Sequence, residues 1–247
     1  MTMQAVLYVS HGSRCQEAQA QVAELMVRSM HKIDVPIQEY CFLELAKPTM
    51  LEGIFRCIER GATRIAVVPL LLLSAGHAKH DIPKLLKKMQ VHFPNIKFTY
   101  GRPLGVHDAI IDIVIERMLE KQTSIEKEAR ILLVGRGSSD PDTKRYFHEI
   151  EQQLKRKTAV ANITTCYLAA CEPDFKTGLA SVLDSHAKQV FVIPYLLFTG
   201  VLMQRMEQVI AQLPDCNRTV FLCKHLYFHQ NIVQLLLERV RETMIAR

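Results

Sequence analysis

Along the whole chain, short unbroken apolar runs alternate with amphipathic stretches. MQAVLYVS (3–10), residues 35–43, IAVVPLLLL (65–73) and 96–100 have the length and composition of strands. The run at 65–73, bounded by a small-residue turn, reads as a central parallel strand buried on both faces. Between the runs, Ser13 and Gln16 at capping-box spacing predict a helix to about Lys32, and Pro48 opens one that stops at Gly61. Pro83 opens a third, which ends before Phe93-Pro94, and 107–121 forms a fourth. After a polar stretch at 122–129 the plan repeats, with strands at 130–135, 162–168, 189–198 and 219–225. Helices are expected at 142–156, 173–187, 201–213 and 229–245, the last with Ile232, Val233, Leu236 and Val240 at helical spacing. Strict alternation of strand and helix predicts an α/β fold of two duplicated, doubly wound halves. Each has a parallel four-stranded sheet, and a cleft is expected between them.

The repetition extends to residue identity. A shift of 125 residues lays LYVSHGSR (7–14) on LLVGRGSS (132–139), FLELAKP (42–48) on YLAACEP (167–173), and IAVVPLLLLSA (65–75) on VFVIPYLLFTG (190–200). One offset fits all three blocks, so the chain divides into halves 1–125 and 126–247. The halves share scaffold residues and differ in chemistry: His11 stands opposite Arg136, Glu44 opposite Ala169, and His77 opposite Leu202. The first half is therefore expected to carry the active site, and the second to serve as scaffold and substrate wall.

His11, Glu44 and His77 each follow a predicted strand, and in open α/β sheets ligands bind beyond the carboxyl ends of the strands. Neighbouring parallel strands lie about 5 Å apart, so the three side chains can converge on one ion or one substrate atom. Two imidazoles and a carboxylate suit a divalent metal such as Fe2+, Co2+ or Zn2+ with coordination positions left open. The same groups can accept protons near neutral pH, and each alone also fits a turn residue bonded to backbone. The joint loss of all three from the second half favours function. His80 and His107 have no such support. GRGSSD (135–140) precedes a helix and could cradle a phosphate, but it lacks a full GxGxxG and a Walker lysine.

Composition narrows the class. With 49% hydrophobic residues in 247, the chain can build ordinary cores. Its longest apolar runs are about half the length that crosses a bilayer, and no signal-peptide pattern opens it, so a cytoplasmic protein without membrane contact is expected. Seven scattered cysteines without CxxC fit reduced thiols, with Cys166 and Cys171 read as core residues. A formal charge of +6 favours anionic ligands. The basic residues are too dispersed for a nucleic-acid surface, KLLKK (84–88) and KRK (155–157) being the local clusters. Histidine phosphatases also begin with a strand and an HG turn, but Ser10 occupies the place of their arginine.

In SHGSR, FLELAKPT and VVPLLLLSAGHAKHDIP, followed by GRGSSDPD and IPYLLFTG, the sequence resembles the class II chelatases of the CbiX/SirB type, over essentially the whole chain. Among these it is most similar to the bacterial enzymes that insert Fe2+ into sirohydrochlorin to make siroheme without ATP. The resemblance implies that His11 and His77 bind the metal and help to deprotonate the pyrrole nitrogens, and that Glu44 assists. It also implies that Leu72, Leu73, Ser74, Ala75 and Gly76 line the macrocycle site. Arg14, Lys79, Arg136 and Arg205 are weaker candidates for holding substrate carboxylates. The expected partners are sirohydrochlorin and a divalent metal, with Co2+ or Ni2+ able to substitute for Fe2+. No other cofactor is expected, and the chain is expected to be a monomer with two pseudo-symmetric halves. Cobalt insertion for cobalamin synthesis and a non-catalytic metal or tetrapyrrole carrier are the alternatives.

Overall fold

The structure, a computed structural model, describes residues 2–214, 218–227 and 229–245. Strand and helix alternate throughout the described residues. The first repeat runs β1 (Gln4–Ser10), α1 (Gln16–Met30), β2 (Ile37–Phe42), α2 (Met50–Glu59), β3 (Arg64–Leu70), a π-helical turn (His77–Asp81), α3 (Ile82–His92), β4 (Lys97–Tyr100) and α4 (Asp108–Leu119). The second runs β5 (Arg130–Gly135), α5 (Asp142–Thr158), β6 (Asn162–Tyr167), α6 (Phe175–Leu183), β7 (Gln189–Pro194), α7 (Val201–Ala211), β8 (Thr219–Leu222) and α8 (Gln230–Ile245). The strands form two parallel four-stranded sheets, ordered β2-β1-β3-β4 and β6-β5-β7-β8. The expected α/β class and strand count therefore hold.

The central strands are buried on both faces, as their unbroken apolar runs require. In β1 every residue from Ala5 to Ser10 is buried, and in β3 every residue from Ile65 to Leu70. Leu7, Cys41, Ile54 and Val67 pack on one face of the first sheet. Leu132, Cys166, Leu179 and Val192 do the same in the second.

Three expectations change. The helix expected from a Ser13–Gln16 capping box begins at Gln16, and no side chain caps it. Ser13 Oγ instead accepts from the Cys15 N–H at 3.1 Å within the preceding turn. The capping box in the first repeat is at α2, where Thr49 Oγ1 accepts from Glu52 N–H at 3.3 Å and Glu52 Oε2 accepts from Thr49 N–H at 2.6 Å. Strand β3 ends at Leu70 because its neighbour β1 ends opposite it, at Ser10. Beyond that point the chain is held by loop bonds, Leu104 N–H to Leu71 O at 2.9 Å and Gly105 N–H to Leu72 O at 2.8 Å.

The third concerns domains. The compact units are residues 1–105 with 230–247, and 106–229, not 1–125 and 126–247. The final helix of each repeat belongs to the unit built on the other repeat's sheet: α8 packs against β3, β4 and α1, and α4 against α5 and β7. Arg239 fixes α8 in the first unit. Only 1% exposed, it donates to the carbonyls of Pro103 at 3.2 Å and Leu104 at 3.1 Å, and it pairs with Glu242 at 2.8 Å. In the second unit, Arg117 of α4 donates to the Tyr227 carbonyl at 2.7 Å. Among the described residues no helix is long and apolar enough to cross a membrane.

Candidate active site

The order β2-β1-β3 places the carboxyl ends of β2, β1 and β3 side by side. The connection from β1 runs outward to β2 and that from β3 outward to β4, so the gap between β1 and β3 is the topological switch point where α/β sheets open a crevice. His11 is the first residue after β1, Glu44 the second after β2, and His77 opens the π-helical turn after β3.

Backbone bonds carry the β1–β2 ladder past the ends of the strands. Leu43 N–H donates to Ser10 O at 2.9 Å, and Glu44 N–H to His11 O at 3.1 Å. This approach depends on Gly12, whose φ is +95 and where an added Cβ would lie 1.8 Å from the Glu44 carbonyl oxygen. Leu45, at φ 62, then turns the chain away. His11 Nε2 and Glu44 Oε1 consequently stand 3.3 Å apart. The His77 ring meets His11 edge-on, with centroids 4.8 Å apart and an interplanar angle of 82°.

One ligand atom from each of His11, Glu44 and His77 lies within 4.8 Å of the other two, the one such group of three or more among the described residues. A metal with bonds of about 2.1 Å holds its ligand atoms about 3–4 Å apart, so the widest of these spacings asks for about 1 Å of side-chain movement. The side chains are 22%, 44% and 37% exposed for His11, Glu44 and His77, so an incoming ion or ring can reach them. Both imidazoles are oriented through Nδ1: that of His11 is 3.2 Å from Gly12 O, and that of His77 is 2.7 Å from Asp81 Oδ2. Leu72 to Gly76 form a half-buried irregular segment between β3 and the π-helical turn.

The other sequence candidates lie elsewhere. His107 caps α4, its Nδ1 accepting from Ala109 N–H at 3.2 Å, and His80 is exposed. In the GRGSSD turn, Ser138 Oγ accepts from Asp140 N–H at 3.2 Å and Asp140 Oδ1 from Asp142 N–H at 2.9 Å, so the turn supplies its own acceptors in place of a phosphate. Cys166 is a core residue, whereas Cys171 is only half-buried and bonds Ser138 O at 2.8 Å; Cys216 lies outside the described residues. Sequence reading assigned no role to Asp81, although its spacing of four from His77 was a legible signal.

The second unit reproduces the β1–β2 part of this backbone with other side chains. Leu168 N–H donates to Gly135 O and Ala169 N–H to Arg136 O, both at 2.9 Å. Gly137 has φ +85, and a Cβ there would lie 1.7 Å from Ala169 O. The side chains on this frame are Arg136 and Ala169; Leu202, which the repeat offset sets opposite His77, lies in α7. An arginine stays protonated and repels cations, and the other two have no donor atom.

Family comparison agrees with this duplicated geometry: the CbiX family matches twice, over residues 5–121 and 130–243. The chain belongs to the CbiX family. Among its relatives, the sirohydrochlorin ferrochelatase of Priestia megaterium is 46% identical over 245 residues, which cover 99% of this chain and 92% of that protein. The sirohydrochlorin ferrochelatase of Bacillus subtilis is 41% identical over 240 residues, 97% and 92% of the two chains. The sirohydrochlorin cobaltochelatase of Priestia megaterium is 35% identical, covering 97% of this chain and 80% of its own. The structure of SirB from Bacillus subtilis with Fe3+ superposes with a TM-score of 0.88 at 39% identity, covering 99% of this chain and 96% of that one. The two-sheet CbiX architecture expected from sequence is thus borne out.

Proposed function

We propose that this CbiX-family chain is a sirohydrochlorin ferrochelatase, inserting Fe2+ into sirohydrochlorin to form siroheme without ATP. The observation that carries the reading is the grouping of His11, Glu44 and His77, in a chain 46% identical to a sirohydrochlorin ferrochelatase over 99% of its length. Iron is favoured over cobalt because the ferrochelatase relatives are the more similar and share the larger part of their length.

Insertion exchanges the inner N–H protons of the macrocycle for the dication. His11 and His77 hold the metal through Nε2, the atom left once Nδ1 is engaged. Glu44, 3.3 Å from His11 Nε2, either completes the metal contact or takes a departing proton, and its partial exposure lets that proton pass to water. Leu72, Leu73, Ser74, Ala75 and Gly76 form the wall for the ring. The net charge of +6 suits a polycarboxylate substrate. Metal loading is confined to one site per chain, in the first unit.

Anaerobic absorbance spectra of sirohydrochlorin with Fe2+ or Co2+, with and without protein, test the reading. Catalytic turnover faster with Fe2+ than with Co2+ is expected, each rate corrected for uncatalysed insertion. Faster cobalt turnover makes the chain a cobaltochelatase. Stoichiometric binding with no rate enhancement makes it a carrier and overturns the enzymatic reading.

A further inference from the structure

We propose that Asp81 is a positioning residue: it holds the proton of His77 on Nδ1 and so keeps Nε2 unprotonated for the incoming metal. The proposal rests on the reading of His77 as a metal ligand and extends it to a residue that does not touch the metal.

Three observations support it. The first is the contact itself, 2.7 Å from His77 Nδ1 to Asp81 Oδ2. A carboxylate accepts hydrogen bonds, so this contact suits a ring that donates from Nδ1 and keeps the Nε2 lone pair clear. The second is the setting of Asp81. Helical structure runs unbroken through the π-helical turn into α3, with Asp81 at φ −71 and ψ −47 and its side chain making no capping bond. No helix start lies at Asp81 to engage the carboxylate, which turns back to His77. The third is the support beneath the pair. His77 to Asp81 form a π-helical turn closed by Ile82 N–H to His77 O, a feature that recurs at functional sites. The buried Ala78 is tied to the sheet by Tyr100, whose hydroxyl donates to Ala78 O at 2.9 Å.

The physical need is specific. A free neutral imidazole favours the proton on Nε2, the atom that the metal requires bare. Metal-binding histidines commonly donate their second ring N–H to a carboxylate or a carbonyl, and removing that partner weakens metal affinity by about 10–100-fold. His11 meets the need with a backbone carbonyl, Gly12 O at 3.2 Å, which substitution cannot remove. His77 depends on a side chain.

The test combines ring spectroscopy with metal binding. Two-bond 1H–15N correlation above about pH 8, where an ordinary histidine is neutral, reports which nitrogen carries the proton. The His77 signals are identified by their loss in His77→Ala. Wild type is expected to show the Nδ1–H form and Asp81→Ala a shift toward Nε2–H, with an unchanged melting temperature. Anaerobic titration with Co2+ should show about 10–100-fold weaker binding in Asp81→Ala and partial recovery in Asp81→Glu. An Nε2–H ring in wild type, or wild-type Co2+ affinity in Asp81→Ala, overturns the proposal. If His77→Ala also binds Co2+ normally, the assignment of His77 as a ligand fails with it. If His77→Ala loses Co2+ while Asp81→Ala keeps it, only the role of Asp81 fails.

Discussion

Gly12→Ala and Gly137→Ala form a matched pair that separates scaffold from chemistry. At Gly12 the new Cβ would stand 1.8 Å from Glu44 O with φ at +95, and at Gly137 it would stand 1.7 Å from Ala169 O with φ at +85. An L-residue in the left-handed region costs about 1–2 kcal/mol. Relieving the overlap needs a backbone shift of the order of 1 Å, comparable to overpacking a core at about 1–3 kcal/mol. Each variant should thus lose about 2–5 kcal/mol, or about 5–15 °C in melting temperature for a chain of this size.

The functional consequences should diverge. At Gly12 the shift pushes Glu44 away from His11 and breaks the bond from Glu44 N–H to His11 O, now 3.1 Å. Sites of this kind need placement to about 0.5 Å, so Co2+ affinity should fall at least ~10-fold. At Gly137 the displaced residues, Arg136 and Ala169, offer no metal-ligating side chain, and Co2+ affinity should match wild type. Calorimetry reports both losses without assuming a single two-state transition, and anaerobic Co2+ spectra report the site. Unchanged melting in either variant would refute the packing argument. Equal loss of Co2+ in both would refute the confinement of the site to the first unit.

His11→Ala and His77→Ala should each slow metallation of sirohydrochlorin at least ~100-fold with unchanged circular dichroism, since each removes a ligand or base and neither ring is a core group; near-normal rates in both would refute the assignment. Glu44→Gln keeps shape and removes charge, so its metallation rate should fall by a comparable or smaller factor, and an unaltered pH–rate profile would mark Glu44 as structural. His225 provides a pH test of the second unit: burial first, then the Arg117 charge, lowers its pKa to about 4. The unfolded chain takes up this proton below about pH 6.5 and the folded chain only near 4. Stability should therefore be lost as pH falls through that window, by of the order of 1–3 kcal/mol once solvent exposure is allowed for. Urea melts of His225→Gln should show a shallower acid loss, and an identical slope would count against it.

The candidate positions were legible because they sit where periodicity changes. Unbroken apolar runs mark buried parallel strands, and the first polar residues after them must emerge at the strand ends, which located His11, Glu44 and His77. Their convergence was also legible, since strands joined by βαβ units pair closely, and the single repeat offset exposed Arg136, Ala169 and Leu202 as replacements. The pairing of His77 with Asp81 was legible only as a spacing of four, not as a contact. It depends on a π-helical turn, and HAKHD reads equally well as the first turn of α3. Ser13 misled for a similar reason, because a serine two or three residues ahead of a helix serves a tight turn as readily as a cap.

The domain boundary follows different physics. The repeat breaks between 121 and 130 in the family match, whereas the compact units break at 105 and 229. Both divisions are real, one of ancestry and one of packing. Ile232, Val233, Leu236 and Val240 announce a helix that must bury one stripe, but apolar burial has no direction and names no sheet as its partner. What selects the sheet is polar and specific. The Arg239 guanidinium is satisfied by Pro103 O, Leu104 O and Glu242, and Arg102 pairs with Glu242 at 2.8 Å. None of these contacts has a periodic trace in the sequence. A chain ending at residue 125 would leave the flank of β3 and β4 without α8, and the carbonyls of Pro103 and Leu104 without their donor. The repeat is therefore a unit of sequence, and the smallest unit of packing for the first sheet includes residues from both ends of the chain.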